Sequence, residues 1–293
     1  MAERVTFYNH ISANKRNSVL LVIIVVIVMI LLGYLIGLIF GSVVAGVLIA
    51  MSLAIFLTLI GIFSGDDIVL SASGAKEADK KQYPFLINTV EGLSIAAGIP
   101  MPKVYVINDN TINAFATGRN PKKASVAVTT GALQKLNRAE LEGVLGHELS
   151  HIKNYDVRFM MLTTVLVGIV VLLSDFFLRS FFFSSGDRDN KLPPVFLVFG
   201  IILAILAPIG GTLIKLAVSR RREFLADANG ALLTRHPPGL ASALKKIKED
   251  TAKPTATANK AMAHLYISNP FKNSAMFSTH PKVEERIKRL ENM

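Results

Sequence analysis

The chain of 293 residues contains no cysteine. That absence rules out disulfides and thiolate-ligated metal, and it fits a reducing compartment. Charge is missing just as completely from one stretch: no Asp, Glu, Lys, Arg or His occurs over the 46 positions from Ser18 to Phe63. About 20 apolar residues carry a helix across the hydrocarbon core of a bilayer, so this run accommodates two spans. Gly37, Gly41 and Gly46 mark a reversal between them. The run is too long for a cleavable signal peptide, and no small-residue cleavage site follows it. Internal repeats are absent. The basic residues are not interleaved with aromatics or set in a recognisable module, which argues against nucleic acid as a partner despite a net charge of +11. A basic face beside anionic lipid headgroups accounts for that charge instead. With 51% apolar residues and a mean hydropathy of +0.45, the composition is that of a membrane protein.

Two further apolar segments follow. One runs from about Phe159 to Leu178 and holds Asp175. The other runs from about Pro194 to Val218 and holds Pro208, Gly210, Gly211 and Lys215. Spanning helices and buried core helices are both open for this pair.

What the chain does contain is His147-Glu148-Leu149-Ser150-His151. Positions i and i+4 share one face of a helix, so both imidazoles can ligate one metal ion with Glu148 bordering the site. Zinc accepts imidazole nitrogen, and a catalytic zinc needs a third protein ligand and an open position for water. A carboxylate beside that water can serve as general base. The pattern is the H-E-x-x-H of zinc peptidases. Asn137 and Glu140 form the Asn variant of a capping box that opens a helix near Arg138. Leu141, Val144, Leu145, Leu149 and Ile152 then recur at helical spacing. Gly143 and Gly146 each weaken a helix by about 1 kcal/mol, so something must pack very close to them.

A second pair, Glu223 and Asp227, follows the run Arg220–Arg222 and again stands at i and i+4. By itself this is an ordinary Arg/Glu/Asp helix face paired with itself. Beside HELSH, Glu223 can complete a metal site and Asp227 can accept the outer N–H of a ligating histidine. Between the second apolar run and HELSH lies a block of mixed composition. Tyr83–Ala97 reads as a helix ended by Gly98 and Pro100. Lys103–Asn108 and Ala124–Thr129 read as strands, and Asn113 between them as a turn residue. Leu240–Glu249 and Lys282–Leu290 read as helices, with Pro281 at the start of the second and Thr279 or His280 as its cap. The fold class expected is mainly α with a small β-sheet (α+β), integral membrane helices carrying a peptidase domain.

Four stretches together resemble the HtpX-type membrane zinc metalloproteases, relatives of the CAAX prenyl proteases. They are INAFATG at Ile112–Gly118, GHELSHI at Gly146–Ile152, RREFLADA at Arg221–Ala228 and THPKVEERI at Thr279–Ile287. The resemblance implies a gluzincin-like fold. It also implies one Zn2+ per chain on His147, His151 and Glu223, with Glu148 as general base and Asp227 supporting a ligand. It places Asn113 and Ala114 near a cleft where an extended polypeptide adds to a sheet edge. In the prenyl-protease relatives a His and an Arg six residues later lie near the scissile carbonyl, and His280 and Arg286 match that spacing.

Because His151 and Glu223 would share an ion, the chain between them crosses the membrane an even number of times. Lys15, Arg16, Lys76, Lys80, Lys81, Lys122, Lys123 and Arg220–Arg222 all fall on the resulting shared side, which the positive-inside rule makes cytoplasmic. The expected organisation is a cytoplasmic tail over 1–17, two spans over 18–63, a first protease segment over 64–158, two spans with a short loop over 159–218, and a second protease segment over 219–293. The resemblance implies an endopeptidase of membrane-protein quality control that acts on cytoplasmic parts of membrane polypeptides. A CAAX-type processing protease, or a non-catalytic adaptor or chaperone on the same fold, are the alternatives; an intact Glu148 argues against the last.

Overall fold

The structure is a computed structural model and describes residues 7–39, 41–166, 220–252, 265–267 and 281–293. The segment Pro194–Val218 and His280 lie outside the described residues, as does the part of Phe159–Leu178 beyond Leu166.

The uncharged run forms a helical hairpin, α1 (Phe7–Ile39) and α2 (Val43–Ala72), and both helices are long and apolar enough to cross a membrane. Their outer faces leave Ile27, Leu31, Val44, Ile49, Phe56 and Phe63 exposed. A core helix of a soluble protein would bury such residues; a lipid-facing helix need not. The three glycines expected at the reversal divide their work. Gly41 alone sits in the turn, with φ +78. Gly37 and Gly46 lie inside the two helices with Gly33, where the backbones touch: a Cβ on Gly46 would stand 2.3 Å from the Gly33 carbonyl oxygen. Small residues let membrane helices approach this closely, which is why the glycines extend beyond the turn.

The remaining described elements are β1 (Ala75–Glu77), α3 (Pro84–Ala97), β2 (Lys103–Ile107), β3 (Ala114–Asn120), β4 (Lys123–Thr129), α4 (Thr130–Lys135), α5 (Arg138–Lys153), α6 (Arg220–Thr234), α7 (Pro237–Glu249) and α8 (Val283–Glu291). Residues 156–166 are also helical. The strands order as β1-β2-β4-β3, with β2 and β4 parallel and the two outer pairings antiparallel. Period-two alternation gives this sheet two apolar faces. Val104, Val106, Ala114, Ala116, Val126 and Val128 point into the main core with α3, α5 and α7. Ile107, Phe115 and Ala127 point the other way, onto Val69 and Leu70 at the end of α2. The sheet is thus clamped between the HELSH helix and the membrane hairpin. Helix 156–166 continues from the turn after α5 and packs Phe159, Met161, Leu162 and Leu166 against Leu21 of α1.

Candidate metal centre

The α5 helix starts as its sequence dictates: Asn137 Oδ1 accepts from Glu140 N at 2.9 Å and Glu140 Oε2 accepts from Asn137 N at 2.7 Å. Its two glycines are where other helices press in. A Cβ on Gly143 would lie 2.6 Å from Leu240 N of α7, and one on Gly146 3.1 Å from the carbonyl oxygen of Gly230 on α6. Gly230 answers in kind, since its own Cβ would meet His147 N at 2.8 Å. This backbone-to-backbone contact brings α6 against the HELSH face.

His147, His151 and Glu223 are all buried, and one ligand atom from each lies within 4.8 Å of the others. The two Nε2 atoms are 3.2 Å apart; the Glu223 carboxylate is 3.8 Å from His147 Nε2 and 3.6 Å from His151 Nε2. A tetrahedral zinc with bonds of about 2.0–2.1 Å spans about 3.3 Å between ligand atoms, so these residues fit the ion. Both outer nitrogens are held by carboxylates: His147 Nδ1 is 2.9 Å from Asp227 Oδ1, and His151 Nδ1 is 2.9 Å from Asp156 Oδ2. A carboxylate accepts only, so each Nδ1 carries a proton and each inward-facing Nε2 is the nitrogen that, deprotonated, can bind a metal.

Arg286 is 1% exposed and clasps Asp227 with two donors, Nε to Oδ2 at 2.8 Å and Nη2 to Oδ1 at 2.7 Å. Its Nη1 donates to the Ile267 carbonyl at 3.2 Å and lies 3.6 Å from Glu223. Glu148 is buried beside the histidines and takes a backbone hydrogen bond from Ala116 of β3, while its Oε1 has no hydrogen-bond partner among the described residues.

Burial sets the charge states. It pushes His147 down to about 4, against the opposing pull of Asp227. It also works against protonation of His151, but the hydrogen bond to Asp156 and the charge of Glu223 prevail and hold that imidazole up to about 9. Glu148, desolvated and near Glu223, rises to about 8. Asp227 stays well below the usual carboxylate range because the Arg286 guanidinium outweighs its burial.

The sequence reading missed Asp156 and the fixed place of Arg286. Asp156 lies beyond the end of α5, past Tyr155 with φ 62, so no helical spacing connects it to His151. The Asn113–Ala114 stretch does open a strand, β3, at the sheet edge. Both residues are buried, and the outward Ala114 carbonyl already accepts from Ile267 N at 3.0 Å.

Residues 80–293 match the model of Peptidase family M48. The "Protease HtpX homolog" of Dictyoglomus thermophilum is 48% identical over 290 residues, covering 98% of this chain and 95% of that protein. The protein of the same description from Tropheryma whipplei (strain Twist) is 49% identical over 234 residues, 79% of either chain. Among solved structures, S. mikatae Ste24p covers 89% of this chain and 61% of its own at 20% identity, with a TM-score of 0.48. That likeness is too loose to bear on mechanism.

Proposed function

This chain belongs to peptidase family M48, and from that premise we propose that it is a zinc endopeptidase of the cytoplasmic membrane that cuts cytosolic segments of membrane polypeptides. The chain is a membrane metalloprotease; the metal, the orientation and the substrates are our reading. The observation that carries it is the inward-facing triangle of His147, His151 and Glu223 with the buried Glu148 carboxylate beside it.

When bound there, zinc would polarise a scissile carbonyl and lower the pKa of water. Glu148 takes the proton of the attacking water and returns it to the leaving amine. Its desolvation suits it to both, because a carboxyl raised toward neutrality both binds and releases a proton readily. Asp227 and Asp156 keep the histidines in the ligating tautomer, and Arg286 keeps Asp227 ionised. An extended substrate adding along β3 near Asn113 and Ala114 requires Ile267 to release the Ala114 carbonyl. His280 remains a candidate for the scissile carbonyl by its family spacing alone.

The cytosolic orientation rests on the clustered Lys and Arg residues. Contact of both ends of the hairpin with the peptidase body, Asn14 with Asp156 and Leu70 with the sheet, is consistent with one shared side, whichever side that is. A role in clearing damaged membrane proteins rests on the family resemblance alone.

The test is metal content and cleavage of a labelled membrane polypeptide. Glu148→Gln retains one zinc and loses at least about two orders of magnitude in rate. His147→Ala, His151→Ala and Glu223→Ala lose the metal too. A Glu223→Ala protein with one tight zinc moves the third ligand elsewhere, Asp227 first.

A further inference from the structure

One of the two carboxylates that hold the histidines is itself held from the membrane. Asp156 is 1% exposed; its Oδ2 faces His151 Nδ1, and its Oδ1 accepts from Asn14 Nδ2 of α1 at 2.6 Å. The same Asn14 amide donates to the Asn154 carbonyl at 3.0 Å. Its own Oδ1 accepts from Arg222 Nη1 at 3.4 Å, and Arg222 directly precedes Glu223. Asn14 is 4% exposed. A buried amide at the head of an apolar helix is costly unless its donor and acceptor are both used, and here both are. The neighbouring Lys15 ammonium stands 4.5 Å above the ring of Tyr155, the residue that makes the left-handed turn between His151 and Asp156. Three segments far apart in sequence therefore meet on one side chain: the membrane helix α1, the turn after HELSH, and the start of α6.

We infer that Asn14 is a positioning residue of the metal centre, through which the membrane helix α1 fixes His151 by way of Asp156. Asn14 touches neither metal nor substrate. It anchors Asp156 from the side opposite His151, so a shift of α1 re-aims the carboxylate and with it the imidazole. The position of a membrane helix is thereby written into the geometry of that ligand. The inference rests on the reading of His151 as a zinc ligand.

The test uses the full chain in lipid nanodiscs. Zinc affinity is measured by chelator competition, and the visible spectrum of the cobalt-substituted protein reports ligand geometry. Asn14→Ala weakens zinc binding about tenfold, at the lower end of what outer carboxylate partners contribute, and shifts the cobalt bands. Asp156→Ala weakens it further, and the double variant is no worse than Asp156→Ala alone, because Asn14 acts through that carboxylate. Asn14→Ser, which keeps a donor, recovers part of the loss. Ser18→Ala, which removes only a bond to the Asn14 carbonyl, behaves as wild type. Wild-type affinity and spectrum in Asn14→Ala overturn the inference, as do additive losses in the double variant. A lower unfolding temperature of the metal-free form with an unchanged cobalt spectrum reduces Asn14 to a structural role and overturns it equally. A wild-type chain that binds no metal overturns the zinc reading itself, and this inference with it.

Discussion

Replacing Arg286 separates two accounts of this residue. Its spacing to His280 suggests a group that stabilises charge on the scissile carbonyl; its observed contacts make it the clasp of Asp227. The guanidinium spends Nε and Nη2 on Asp227 at 2.8 and 2.7 Å and Nη1 on the Ile267 carbonyl at 3.2 Å. Arg286→Leu leaves Asp227, itself 2% exposed, as a buried carboxylate with its strongest counter-charge gone. Removing one member of a buried pair costs about 3–5 kcal/mol of stability. Asp227 also loses the two donors that aim it at His147, so the imidazole is oriented less firmly and metal affinity drops by about 10–100-fold. Arg286→Lys keeps the charge but not the two-pronged geometry, and falls between. The double variant Arg286→Leu with Asp227→Leu regains stability by removing the stranded charge, yet it does not regain metal affinity, because His147 has lost its acceptor. Thermal unfolding of the metal-free protein in detergent and chelator competition for zinc measure the two effects. An Arg286→Leu protein with wild-type stability and zinc affinity but a much lower kcat would refute the clasp and restore the role at the carbonyl.

The metal-free protein loses stability as pH rises from 6.5 to 9. His151 is raised from 6.5 to about 9 and Glu148 from 4.5 to about 8, so both favour folding when protonated and lose that contribution as pH climbs through the folded values. The opposite contribution of His147, lowered to about 4, is confined to pH below 6.5. A melting-temperature profile that stays flat in this window without metal counts against the assigned charge states; with zinc bound, flatness is expected. Gly143→Ala drives a Cβ to 2.6 Å from Leu240 N and 2.8 Å from its Cα, backbone that cannot yield. About 1–3 kcal/mol of destabilisation should appear in denaturant unfolding, and a neutral effect would mean that α5 and α7 are not so tightly apposed. For topology, a cysteine at exposed Lys81 stays unlabelled by an impermeant thiol reagent on intact cells, and one at Asp187 is labelled if the two later apolar segments span, its lack of labelling reducing the count to two spans. Labelling at Lys81 would place the peptidase outside the cytosol.

Local features were legible in the sequence because they depend on near neighbours. The HELSH pair shares a helix face by the period of the helix alone, the Asn137–Glu140 box opens that helix, and Gly98 closes α3 with φ 68. Strands β2 and β4 begin and end within a residue or so of where Val-rich runs meet turn residues, whereas β1 and β3, which lack such runs, were not legible as strands. The uncharged run is long and apolar enough for two membrane helices by length and composition alone. The sequence offered Glu223 as a ligand and Asp227 as a histidine's acceptor; tertiary structure supplied the contacts, including which histidine Asp227 meets. Glu223 and Asp227 lie on one face of α6. The contact of Gly146 with Gly230 sets the height of α6 against α5, so that Glu223 reaches both Nε2 atoms and Asp227 reaches an Nδ1. Asp156, Arg286 and Asn14 come from the start of helix 156–166, the last described helix and the first one. No short-range period links such positions; only packing of the folded chain brings them to one centre.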